Sequence, residues 1–94
     1  MARYKTKPYS TAPCQPGSEF IFRMPDGREV GKARSVADFV RIVKIAPLSS
    51  VVYHASGGHF SPWLGMMGEK ELAEKIKDMK GNDETLRKRI VQAL

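Results

Sequence analysis

From Ile45 to Gly68 the chain carries no Asp, Glu, Lys or Arg, and this run constrains the fold more than any other feature. It holds both histidines, the single tryptophan and two of the five methionines. A stretch without charge is either core, a docking face or a membrane segment. A spanning helix needs ~20 mostly apolar residues, and Ser49, Ser50, His54, Gly57, Gly58, His59, Ser61 and Pro62 interrupt this one, so no membrane role is expected. A chain of 94 residues makes one small domain that must place its large side chains inside. Val51, Val52, Tyr53, Phe60, Trp63 and Leu64 are most simply that core, each aromatic ring burying ~150–250 Å².

The flanks supply the rest of the architecture. Residues 1–18 contain Pro8, Pro13 and Pro16 among Ser, Thr, Gln and Gly, with no apolar period, and are expected to form a flexible basic arm. Residues 19–94 are expected to form the compact domain. Phe20, Phe22 and Met24 alternate with Ile21 and Arg23, the period of a strand with one buried face. Pro25-Asp26-Gly27 is turn chemistry, and Arg28 to Ala33 returns as a second strand with Val30 on the inner side. Ser35 is placed to cap a helix with Asp38 reaching back, and Val36, Phe39, Val40 and Val43 form its apolar stripe. Pro47 ends that helix near Ile45.

Leu48–Ser56 has two readings. Val51-Val52-Tyr53 favours a strand by propensity, whereas Leu48, Val51, Val52 and Ala55 fit a short helix by spacing. Ser61-Pro62 is a helix start, a capping residue followed by proline at the first helical position. Phe60, Trp63, Leu64 and Met67 then share a face. Leu72, Ile76 and Met79 mark another helix, and Leu86, Ile90 and Leu94 a last one after the Gly81-Asn82-Asp83 break. The fold class expected is α+β: an N-terminal β-hairpin followed by four or five short helices.

The segments "FIFRMPDGREVGKARSVADFV", "VYH", "HFSPWL" and "GEKELAEKI" resemble, across about residues 20–80, a small archaeal-type domain family without an assigned activity. In that family a hairpin leads into helices, and a Tyr-His precedes an aromatic, a capping residue, a tryptophan and a Gly-x-x-x-Leu-Ala turn. The resemblance implies a helix over Leu48–Ser56, with the histidine and tryptophan as framework residues. This chain departs at Gly57-Gly58-His59, where a more polar or acidic linker is expected.

Chemical signatures are sparse. His54 and His59 flank a Gly-Gly linker and Cys14 lies far upstream, short of the three or four ligands of a zinc site. No metal and no cofactor is expected, His54 being a core residue bonded to a helix end and His59 an exposed one. No serine sits in a nucleophile motif, and Gly57-Gly58 lacks the lysine and spacing of a phosphate loop, so no enzyme is expected. A single cysteine suits a reducing compartment, and MARYKTKPYSTAP has no apolar segment of a secretory signal, so a cytoplasmic protein is expected.

The formal charge is +6, and residues 21–45 carry six bases against three acids. The expected function is that of a non-catalytic binding or adaptor domain acting through protein contacts. Pro62, Met66 and Met67 would form its docking patch, since methionine surfaces repack around a partner. His54, Phe60 and Trp63 would be structural core. The alternative is an RNA- or DNA-binding protein, ribosome-associated, whose arm contacts nucleic acid through Arg3, Tyr4, Lys5, Lys7 and Tyr9. That cluster interleaves positive charge with stacking rings.

Overall fold

The structure is a computed structural model that describes residues 9–94. A two-stranded antiparallel hairpin, β1 (Phe20–Arg23) and β2 (Glu29–Ala33), is followed by five helices. These are α1 (Val36–Ile45), α2 (Leu48–Ser56), α3 (Phe60–Met66), α4 (Lys70–Ile76) and α5 (Glu84–Ala93), an α+β domain. Leu48–Ser56 is helical: its β-branched pair offered strand propensity, but the apolar spacing let Val51 and Ala55 reach the core.

The hairpin turns at Met24–Gly27, where the Gly27 N–H donates to the Met24 carbonyl (2.8 Å). Asp26 Oδ1 accepts from the Arg28 N–H (2.9 Å), the local bond for which aspartate is favoured in turns. Phe20 pairs with Ala33 and Phe22 with Gly31, but Arg23 pairs with Glu29, so a bulge leaves Val30 without a partner. Val30 is half-buried and packs against the core, as expected, and Gly31 beside it faces α1. A Cβ on Gly31 would lie 3.1 Å from Ile42 Cγ2, and the bare glycine admits Ile42 from α1. This rotates the buried stripe of α1 to Val36, Phe39, Ile42 and Val43, leaving Val40 half-buried.

Ser35 Oγ caps α1 by accepting from the Asp38 N–H (3.1 Å). Asp38 reaches one residue further back than a capping box would, accepting from the Arg34 N–H (3.2 Å). That bond, with Arg41 beside it, holds the Asp38 carboxyl below its ordinary range. At the other end of α1, the Arg87 guanidinium of α5 donates to the Val43 and Ala46 carbonyls and tethers the two helices.

The Ser61-Pro62 expectation needs correction. α3 begins at Phe60, with His59 before it and no side-chain cap. Ser61 Oγ instead donates to the Ala73 carbonyl of α4 (2.7 Å). Pro62 fits inside the first turn, where the backbone N–H it lacks has no intrahelical acceptor. All four phenylalanines, Trp63 and His54 meet in one aromatic cluster between the hairpin and helices α1 to α3. Phe39 stacks on Trp63 at 5.7 Å between centroids, and Phe20 meets Phe22 edge-on at 4.9 Å. Such pairs add about 0.5–1.5 kcal/mol each beyond area burial.

Residues 9–18 of the expected arm lie against the domain. The Ala37 N–H donates to the Ser10 carbonyl (3.0 Å) and the Cys14 N–H to the Arg34 carbonyl (2.7 Å). Tyr9 is half-buried and packs against the core. Attachment through backbone hydrogen bonds leaves no apolar period in the sequence, and Pro13 and Pro16 lower the entropy lost on ordering it. Residues 1–8 of the expected arm lie outside the described residues.

Candidate functional site

The pinned N-terminal segment and the far end of α3 face each other across an open cleft of about 530 Å³. Cys14, Gln15 and Ser18 line one wall, and Met66 and Met67 the other. Met66 is 56% exposed, one of two large exposed apolar side chains among the described residues; the other, Ile45, stands outside the cleft lining. Met67 is half-buried and leans on the core, so one methionine belongs to the cleft floor and its neighbour to the rim. The cleft exists because Trp63 holds its far wall in place. The indole Nε1–H donates to the Ser18 carbonyl (2.7 Å), joining α3 to the segment just before β1.

Of the expected docking patch, the structure brings Met66 and Met67 together in this cleft and leaves Pro62 exposed outside its lining. Proximity of Cys14, Gln15 and Ser18 to the methionines was not legible in the sequence, because it depends on an attachment 45 residues apart.

The histidines form a separate cluster at the joint between β1 and the α2–α3 loop. His54 is 4% exposed, held between Phe20 and Phe60 at 4.9 and 5.7 Å. It does not bond a helix end as expected. The backbone N–H of Arg23, at the end of β1, donates to His54 Nε2 (2.8 Å), because the ring slots into the hairpin. The two Nδ1 atoms of His54 and His59 are 3.0 Å apart. Since Nε2 of His54 is an acceptor, its proton resides on Nδ1 and donates to His59 Nδ1, which places the His59 proton on Nε2. His59 is exposed, as expected, but it is the partner of a buried ring.

These tautomers bear on the metal question. Two imidazole nitrogens this close could share a cation, but ligation through His54 Nδ1 moves its proton to Nε2, against the Arg23 N–H. The donor set thus opposes a metal here, and no three His, Cys, Asp or Glu side chains gather as a ligand cluster among the described residues. Burial, then the neighbouring His59 and Arg23, lowers the His54 imidazole from 6.5 to about 4. The ring is therefore neutral at pH 7, in keeping with a framework residue.

The Gly57-Gly58 pair is explained by the same cluster. A Cβ on Gly57 would overlap the His59 ring, and Gly58 has a φ of +67°. Such a backbone angle suits glycine.

Of the residues expected to contact nucleic acid, Arg3, Tyr4, Lys5 and Lys7 lie outside the described residues. Tyr9 packs against the core, where ring burial competes with the stacking role expected of it. Among the described residues no helix is long and apolar enough to cross a membrane. No protein-family model, curated protein or solved structure matches the chain.

Proposed function

We propose that the protein is a non-catalytic binding domain of the cytoplasm that docks a segment of a partner protein in the Met66–Met67 cleft. The observation that carries this reading is the exposed Met66 standing over an open cleft whose opposite wall is tied down by backbone hydrogen bonds. A rigid wall and an adaptable one suit a peptide whose apolar side chain repacks the methionines. The resemblance of residues 20–80 to the archaeal-type domain supports the companion reading of Trp63 and His54 as framework residues.

A random peptide library panned on the folded protein tests the proposal. Selected peptides are expected to shift the amide resonances of Cys14 and Met67, to lose about tenfold or more in affinity on Met66→Lys, and to respond little to salt. Peptides that bind elsewhere, or that ignore Met66→Lys, overturn it. The +6 charge favours a second reading, attachment to RNA or DNA. Its mark is an oligonucleotide affinity that falls with salt by a log–log slope of about −0.7 to −0.9 per phosphate neutralised.

A further inference from the structure

The His54–His59 pair has a property that follows from counting lone pairs. A neutral imidazole has one N–H and one acceptor nitrogen. The acceptor of His54 is occupied by the Arg23 N–H (2.8 Å), and that of His59 by the His54 Nδ1–H (3.0 Å). The series Arg23 amide, His54, His59, solvent therefore runs in one direction and keeps no lone pair in reserve. A proton arriving on His59 Nδ1 sets two N–H groups against each other. A proton arriving on His54 Nε2 does the same with the Arg23 amide. Either event costs one of the two hydrogen bonds that close the joint.

We propose that the His54–His59 pair is an acid-sensitive latch: protonation of the pair releases the Arg23 end of the hairpin from the α2–α3 loop while α1 and α5 stay packed.

The surroundings sharpen this response. Phe20 and Phe22 of β1 lie 4.9 and 6.0 Å from the His54 ring, and Phe60 of α3 lies 5.7 Å away. Tyr53 of α2 stands 4.9 Å from His54 and 5.4 Å from His59. Arg23 and His59 both disfavour a charge on His54, and Lys80 brings a further cation to α2 through the Ala55 carbonyl (3.3 Å). None of the three is an anion, so an imidazolium gains no ion pair from them. Burial and these neighbours together hold the His54 imidazole at about 4, against an ordinary 6.5. The loop itself is short, and the His59 N–H donates to the His54 carbonyl (2.9 Å), so the ring contact and the loop backbone are strained by the same event.

Backbone hydrogen exchange of the whole chain, followed by NMR and expressed as protection factors, tests the latch. The ring nitrogens at neutral pH should report an Nδ1–H tautomer for His54 and an Nε2–H tautomer for His59. Protection of the Arg23 and His59 amides should fall as pH drops from 6.5 towards 4, by as much as about 300-fold at the limit set by linkage. The Val43 and Ile90 amides, in α1 and α5, should stay more protected than these two at every pH, since they open only with the whole fold. His54→Gln supplies an acceptor and a donor without a titrating proton, and should flatten the response. The proposal is overturned by reversed tautomers, by Arg23 and His59 amides that stay protected as the rings protonate, or by protection of these two no lower at acid pH than that of Val43 and Ile90. If His54→Gln does not fold, the unmodified protein alone decides between these outcomes.

Discussion

The indole of Trp63 closes the aromatic core on one side and anchors the N-terminal segment on the other. Those two contributions separate by substitution. Trp63→Ala removes both, at ~3–5 kcal/mol, the range for truncating a large buried aromatic. Trp63→Phe keeps most of the ring but leaves the Ser18 carbonyl without its donor, at about 1–3 kcal/mol. Denaturant midpoints of the two variants measure the difference, and equal losses would remove the indole bond from the account. Ser50 supplies the opposite case. Its hydroxyl is fully buried in α2 with no hydrogen-bond partner among the described residues. Ser50→Ala is expected to stabilise by about 1 kcal/mol, raising Tm by roughly 4–8 °C for a domain of this size. A lowered Tm would show that the hydroxyl contributes.

At the scale of elements, two serines with similar local signals do different work. Ser35 is extended, at φ −146°, and caps α1. Ser61 lies inside α3 and donates across to α4. An acceptor that cannot donate distinguishes them. Ser35→Asp should change stability by no more than a few tenths of a kcal/mol, since aspartate is as good an N-cap. Ser61→Asp should cost about 1–3 kcal/mol, because a carboxylate then faces the Ala73 carbonyl. Thermal unfolding of the pair checks this, and a Ser61→Asp variant as stable as the parent would restore the capping role. The α1–α5 tether acts between elements too. Arg87 is held by Glu84, whose carboxyl the guanidinium keeps below its ordinary range, while it donates to the end of α1.

For the whole molecule, the attachment of residues 9–18 changes what truncation should do. Deleting residues 1–16 removes the Ser10 and Cys14 backbone bonds and the packing of Tyr9. Two lost hydrogen bonds at ~0.5–1.5 kcal/mol each, with part of a ring uncovered, predict a loss of about 2–4 kcal/mol. Calorimetry that finds the truncated chain as stable as the parent would contradict the attachment. Acid stability follows from His54. Its folded value near 4 lies below the ordinary 6.5, so the unfolded chain binds the proton first. The stabilisation is complete above pH 6.5 and declines as pH falls towards 4, reaching a loss of up to about 3 kcal/mol. Urea midpoints measured against pH for the parent and for His54→Gln isolate that share.

Local chemistry settled much of the architecture before any tertiary contact. The Phe20–Phe22 alternation, the Pro25-Asp26-Gly27 turn, the Ser35 cap and the Pro47 break each act within a few residues, and hairpin and helices appear where those signals stand. The uncharged run likewise specified that Phe60, Trp63 and Leu64 would be inside, because so small a fold has nowhere else to shield them. What only the tertiary structure decided are relations between distant residues. The bulge that pairs Arg23 with Glu29, the donation from Ser61 to Ala73 and the seating of Trp63 on Ser18 all depend on which surface arrives opposite. The cleft between Cys14 and Met66 and the joint between Arg23, His54 and His59 are of this kind. A hydroxyl, an indole or an imidazole carries its capacity to donate or accept in the sequence, but its partner is chosen by packing, where burial requires each such group to be satisfied by whatever lies within reach.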